Sequence, residues 1–490
     1  MNKIFSKWKN MPDSVKSSVA FAFSVFFLKG VSFLATSAFT RIMETTEYGV
    51  LTKYNSWVSI LEVFALIGMT SGGIFNSGLN DYRDDRDRYI SSSLILCNIA
   101  TILVFGIIFG VKSFLPEKFL MEGKYMVVMF IHMIFSPSQI FWMARQRYEY
   151  RYKMATFVTV FSVIIGQLTS VLCVLRVHSD PKFMELLGNE AFAKLVGNEV
   201  GQLLFYIPIY VYLLVKGKSF FDGVKWKHML AFAVPLLPHY LAQHLMSGAD
   251  KIMVADITGE AYGGIYGVMA SIGALAIIFW DAVNASLVPY SFEKFNKEDY
   301  KSVANIVKGL LVGYGIICLG VIAVAPEVVA ILAPPQYYRG IYAIPPLVAV
   351  AFLNSTYNIY ANVEFYYKNS ANITMATIVS SALNLGLNAL LIPFFGLVGA
   401  AYTTLISNAA LIFMHYRGYM KSAGKHIYDD KFILILAGGM CGICILSTLI
   451  YLSNIVRYSI IAAVLIAMII KRKWIIDTVK DYAAEIKGKK

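Results

Sequence analysis

The chain has 490 residues, of which 58% are hydrophobic and only 15% charged, with a mean hydropathy of +0.61. Soluble domains carry about 25% charged residues, so this composition excludes an ordinary soluble protein. The formal net charge of +13 suggests nucleic acid at first sight, but a membrane face that retains basic residues explains it more simply.

Apolar runs of about 18 to 25 residues recur from Val19 to Ile470, the length that crosses a bilayer as helix. No alternating strand pattern competes, which excludes an outer-membrane barrel. The first run follows Lys3, Lys7, Lys9 and Lys16 and extends to about Ala38. It is too long for a signal-peptide core and reads as an uncleaved helix.

The predicted spans are 17–38, 53–75, 90–114, 124–143, 155–176, 197–215, 229–254, 265–288, 303–325, 342–366, 371–392, 396–416, 431–452 and 455–470. The fold class is therefore an all-α polytopic membrane protein of about fourteen transmembrane helices. With the N-terminus inside, thirty Lys and Arg residues face the cytoplasm and ten face outward. This bias predicts an N-in, C-in topology. The longest outer loop runs from about Val177 to Val196, with Glu185 and Glu190 as its only candidate acid pair.

The sequence repeats weakly. Ala20-Phe21-Ala22 matches Ala231-Phe232-Ala233, and Arg41-Ile42-Met43 matches Lys251-Ile252-Met253. Tyr48-Gly49 and Tyr262-Gly263 follow in order. The implied unit is six helices used twice in the same orientation. The predicted organisation is a cytoplasmic N-terminus at 1–16, an N-lobe at 17–215 and a cytoplasmic linker at 216–228. A C-lobe at 229–416, a helix pair at 431–470 and a basic tail at 471–490 follow.

Ionisable groups inside spans are costly, so they face protein or water. Lys29 stands mid-span, with Ser32, Thr36 and Thr40 following at helical spacing toward Arg41. The seventh span places His239, Gln243, Ser247 and Asp250 on one face, with His244 and Lys251 alongside. Pro235 and Pro238 at its start free backbone groups and permit bending. Span two aligns Asn55, Ser59 and Glu62, and span eight aligns Asp281 and Asn284. Span ten aligns Asn354, Tyr357, Glu364 and Lys368, and span eleven carries Asn384 and Asn388.

Glu62, Asp250, Asp281 and Glu364 are candidate ion-coupling groups, with Glu364 alternatively reaching the cytoplasmic interface. The amides read as interhelical hydrogen bonds. The basic, tyrosine-rich stretch from Arg145 to Lys153 reads as ordinary positive-inside anchoring. The five cysteines lie in apolar runs, and the Cys441/Cys444 pair lacks a second ligand pair, so it reads as packing rather than a metal site.

No phosphate-binding loop, HExxH, GxSxG or EF-hand pattern occurs. No catalytic residue, cofactor or metal is expected, and any driving energy comes from gradients or a partner. A membrane polymerase or ligase would need a sizeable external catalytic loop. A cation-coupled multidrug antiporter would need an acidic site in the first helix, where Lys29 stands.

The order of these residues then carries a resemblance: a lysine-bearing first helix, Thr40-Arg41-Ile42-Met43 with Glu47-Tyr48-Gly49, and Asp250-Lys251-Ile252-Met253 with Tyr262-Gly263-Gly264-Ile265-Tyr266. The chain resembles the polysaccharide-biosynthesis flippases of the multidrug/oligosaccharidyl-lipid/polysaccharide exporter superfamily. The resemblance implies two lobes around a cationic cavity. It further implies alternating access that moves a polyprenyl-diphosphate-linked oligosaccharide outward for O-antigen, capsule, exopolysaccharide or teichuronic-type polymer synthesis. Lys29, Arg41, Lys53, Lys251 and His239 are the expected substrate-binding residues by position, Arg41 foremost. Expected partners are the lipid-linked glycan, membrane lipids and polysaccharide polymerase or chain-length machinery, with no nucleic acid. Coupling to H⁺ or Na⁺ and a location in the cell inner membrane complete the expectation.

Overall fold

The computed structural model describes residues 13–69, 74–111, 114 and 121–470. The N-terminal lysines at 3, 7 and 9, the glycines Gly72 and Gly73, Lys112, Lys118 and the tail 471–490 lie outside the described residues. The chain divides into two compact units, residues 1–264 and 265–490.

The first unit holds α1 (Asp13–Ile42), α2 (Thr45–Ala65), α3 (Ile74–Asp81), α4 (Arg86–Val111) and α5 (Gly123–Tyr148). Next come α6 (Tyr152–Ser179), α7 (Pro181–Leu187), α8 (Glu190–Gly217), α9 (Gly223–Ala233) and α10 (Leu237–Thr258). Helix α11 (Glu260–Asn296) begins in this unit and continues into the second. The second unit adds α12 (Tyr300–Leu332), α13 (Ile344–Tyr366), α14 (Ser370–Ala423), α15 (Asp430–Ile450) and α16 (Asn454–Ile470). The unit boundary falls later than the 216–228 linker read from the sequence, because α10 packs against α2.

Nine helical stretches among the described residues are long and apolar enough to cross a membrane. Helix also occupies most of the described residues of the other predicted spans, with features in three of them that weaken the signal. Helix α2 carries Lys53 and Glu62, α10 carries two histidines, Asp250 and Lys251, and α16 is only 17 residues long.

Helix ends follow side-chain chemistry. Asp180, Asn189, Asp222, Asp299, Asn369 and Asp429 each cap a helix by accepting from a backbone N–H at its start. The predicted outer loop at 177–196 is almost wholly helix, because α6 runs to Ser179 and two caps restart the chain at once. Glu190 is spent there, accepting from the Glu44 backbone N–H at 2.8 Å and pairing with His178 at 2.5 Å.

Two prolines and one glycine interrupt helices, the prolines where the sequence reading expected bending within a continuous span at 229–254. Around Pro235 and Pro238 the chain leaves α9, makes a short 3₁₀ turn at Val234–Leu236 and resumes as α10. At 54 residues, α14 is far longer than one bilayer crossing. Gly396, at φ 55° and ψ −140°, kinks it just after Pro393 and so separates the predicted spans 371–392 and 396–416.

Close packing uses small residues. Helices α6 and α8 meet through Gly166 and Ser170 on one side and Gly197 and Gly201 on the other. A Cβ at Gly201 would stand 2.7 Å from the Gly166 Cα. Thr169 and Ser170 donate across the seam to the Gly197 and Lys194 carbonyls at 2.6 and 3.0 Å. In the second unit Arg457 of α16 clamps Glu327 of α12 through both terminal guanidinium nitrogens, fixing the final helix to the bundle.

Candidate functional site: a polar cavity in the first unit

Helix α5 presents His132, Ser136, Gln139, Met143 and Arg147 at steps of three and four residues, which places them on one face. That face spans about 22 Å at 1.5 Å per residue. It forms one wall of a cavity of about 640 Å³. Glu62 of α2, Asn76 of α3, Thr159 and Ser162 of α6, and Gln202 and Tyr206 of α8 complete the polar lining.

Two of the lining residues, Glu62 and His132, belong to an ionisable cluster completed by Glu199. His132 Nδ1 lies 3.0 Å from Glu199 Oε2. Glu62 and His132 lie within electrostatic reach of each other, and Tyr206 senses both Glu199 and Glu62. The Tyr206 ring stands edge-on to the His132 imidazole with centroids 6.1 Å apart. Toward the other end, Arg147 lies over the Phe21 ring at 5.3 Å. Its neighbour Arg145 is committed, bonded to Asp87 and to Glu149. The dense basic stretch is thus partly an ion-pair network and partly cavity lining.

The predicted site residues separate into distinct settings. Lys29 is exposed and makes no hydrogen bond or ion pair among the described residues. Arg41 is exposed and donates to the Ser37 carbonyl and hydroxyl at 2.8 and 2.5 Å. Lys53 is buried and pairs with Asp256, so the expected free cation there is instead a neutralised one. Lys251 donates to the Ser247 carbonyl at 2.9 Å, and Asp250, buried, accepts from the Lys251 backbone N–H at 2.8 Å. The expected continuous polar face on α10 is divided: His239 and Asp250 are buried, Gln243 and Ser247 exposed. His244 meets Ser59 of α2 at 3.0 Å.

In the second unit Asp281 is exposed, while Asn284 accepts from Asn362 at 3.0 Å. Glu364 does not reach an interface. It is fully buried, accepts from Asn372 and pairs with His415 Nδ1 at 2.5 Å. Asn384 and Asn388 are also fully buried and bond to each other and to Thr404 and Thr403. They act as the interhelical amides predicted.

The sequence reading missed His132, Glu199, Gln139 and Gln202. The helical stripe from His132 to Arg147 was the available signal. Glu199 offered none, because its partner lies on another helix.

Residues 14–295 match the polysaccharide biosynthesis protein family, more than half of the chain. The chain belongs to that family. An uncharacterized membrane protein of Haemophilus influenzae is 23% identical to it over 404 residues, 79% of this chain and 94% of that protein. A probable low-salt glycan biosynthesis flippase of Haloferax volcanii is 22% identical over 176 residues, 35% of this chain and 37% of that protein.

The family member's fold is that of known transporters. The lipid II flippase MurJ, in an inward closed conformation, matches with TM-score 0.62 at 14% identity over 93% of this chain and 100% of that one. An inward-facing multidrug resistance transporter of the MATE family, in the MOP superfamily, matches with TM-score 0.59 at 15% identity over 81% and 94%. The polysaccharide biosynthesis protein is thus a multi-pass membrane protein whose family and fold neighbours are transporters and flippases rather than enzymes.

Proposed function

We propose that this protein moves a polyprenyl-diphosphate-linked oligosaccharide from the cytoplasmic to the outer leaflet of the cell inner membrane by alternating access, supplying cell-surface polysaccharide synthesis. Membership of the polysaccharide biosynthesis family carries the reading. The polar cavity adds physical support, since a spanning bundle gains nothing in stability from a 640 Å³ void lined with charged and amide groups. The basic-residue bias supports an N-in, C-in arrangement of two lobes and a C-terminal helix pair.

Among the predicted cations, Lys29 and Arg41 are exposed, and neither is among the residues lining the cavity described above. They are the residues to hold a diphosphate as the lipid passes, whereas Lys53 is neutralised by Asp256. The cavity-lining Glu62 and the buried Glu199 favour one second reading, a cation-coupled multidrug antiporter on the same fold.

The test is transbilayer movement of a fluorescent polyprenyl-diphosphate oligosaccharide in proteoliposomes. Wild type moves it, and Lys29→Ala and Arg41→Ala each slow movement at least about tenfold, as expected if each substitution removes a charge-assisted contact of about 1.5–3 kcal/mol. Both variants keep their unfolding temperature, because exposed positions cost within about 0.5 kcal/mol. No movement of several glycans, together with gradient-driven efflux of a cationic dye, selects the antiporter.

A further inference from the structure

The first unit holds a second cavity, of about 810 Å³, around the turn from α5 into α6. The basic-residue bias assigns this turn to the cytoplasmic face. Helix α8 closes the cavity on one side, and α1, which packs on α6, contributes Lys16. Lys16, Arg151 and Lys153 line it, and no carboxylate does among the described residues.

The charge around this turn exceeds the carboxylates paired with it. Arg86, Arg145 and Arg151 share Glu149, and Arg145 and Lys216 share Asp87. Four cations thus meet two carboxylates. Lys153 is exposed and makes no hydrogen bond or ion pair among the described residues. The cavity also holds an open polar group. Gln146 lines it, is 7% exposed, and its side chain makes no hydrogen bond among the described residues. Buried amides are nearly always paired, so one left open toward a cavity marks a place for a polar ligand.

Apolar surface continues from the same cavity. Met154 lines it and shares a helix face with Phe157 and Phe161, all three exposed. On α8, Tyr212 lines it and shares a face with Leu204, both exposed. A soluble anion would leave this apolar surface uncovered, whereas a ligand with a charged head and apolar tails uses both.

We propose that this cavity binds one anionic phospholipid of the cytoplasmic leaflet. Lys16, Arg151 and Lys153 hold its phosphate, and its acyl chains lie along α6 and α8. The lipid offsets the excess of cations where α5, α6 and α8 meet. No residue lines both this cavity and the polar cavity described above, and the proposal does not depend on the transport reading.

Native mass spectrometry of the full chain in detergent tests it, without glycan. The probes are phosphatidylglycerol and phosphatidylcholine with identical acyl chains. Wild type prefers phosphatidylglycerol at least about tenfold. Lys153→Gln and Arg151→Gln each weaken its binding about fivefold, the factor that about 1 kcal/mol per basic residue gives. Lys153→Arg restores it, and Lys301→Gln, at an exposed position in the second unit, changes nothing. These positions are exposed, so replacement leaves the fold intact. Wild type also unfolds several degrees higher in phosphatidylglycerol than in phosphatidylcholine, a margin that shrinks in Lys153→Gln. Equal binding of the two lipids, or an equal loss in Lys301→Gln, overturns the proposal in favour of diffuse surface attraction. Displacement of the lipid by millimolar inorganic phosphate overturns it in favour of a soluble anion. Tighter binding of a polyprenyl diphosphate, weakened by the same substitutions, overturns it in favour of the transported lipid.

Discussion

Each unit sets a histidine of one spanning helix against a glutamate of another, in different settings. In the first, His132 and Glu199 have side chains 21% and 7% exposed, one carboxylate oxygen is unpaired, and a polar cavity adjoins the pair. In the second, His415 and Glu364 are 1% and 0% exposed, and both carboxylate oxygens are bonded, one to His415 and one to Asn372. The Tyr357 ring stacks on His415 with centroids 5.4 Å apart. Each pair leaves one buried polar atom without a hydrogen-bond partner, Glu199 Oε1 in the first unit and His415 Nε2 in the second. The two pairs differ in exposure and in which partner keeps the unbonded atom.

The largest expected effect breaks the sealed pair. Glu364→Ala strands His415 in the interior and costs about 3–5 kcal/mol, read as a steep fall in unfolding temperature in detergent. Glu199→Ala opens onto a cavity that admits water and costs about 1–3 kcal/mol. Equal losses for the two would end the distinction drawn between the units.

A steric probe sharpens it next. A Cβ at Gly418 would meet Glu364 Oε1 at 1.9 Å and Asn372 Nδ2 at 2.0 Å. Gly418→Ala therefore costs about 1–3 kcal/mol by overpacking. Gly248→Ala in the first unit meets Ser56 only at 3.6 Å and leaves stability nearly unchanged. A thermal-shift comparison of the two variants checks this.

The smallest effect concerns a charged cap outside the membrane-spanning segments. The hydrogen bond from Lys225 holds the Asp222 carboxyl below its ordinary range. Burial disfavours the Lys225 ammonium, but its bonds to Asp222 and Asp85 outweigh that and raise it. Asp222, with the lower folded value, contributes stability above about pH 4 that is lost as pH falls through that folded value. Lys225 contributes fully below about pH 10.4, and its share is lost as pH rises through the raised folded value. Lys225→Met costs about 1 kcal/mol at pH 7, and urea titration at pH 7 and pH 3 finds a smaller gap between variant and wild type in acid.

Much of the fold was legible because a bilayer imposes a length rule on apolar runs. The helix break at Pro235 and Pro238 and the division of α14 at Gly396 followed from backbone chemistry that is local in sequence. The amides Asn384 and Asn388 were read correctly because a buried amide must find a partner somewhere. The site was harder. Lys29 and Lys53 look alike as lysines on spanning helices, yet Lys53 is neutralised by Asp256, a residue 203 positions away.

By itself the sequence determined that this is an all-helical membrane protein, where its helices break, and which family it resembles, because hydrophobic length, proline, glycine and short motifs act within a few residues. Only the tertiary structure decided which charges are spent and which remain available. His132 finds Glu199 across 67 positions and Glu364 finds His415 across 51, and a one-dimensional pattern does not fix which faces of distant helices meet.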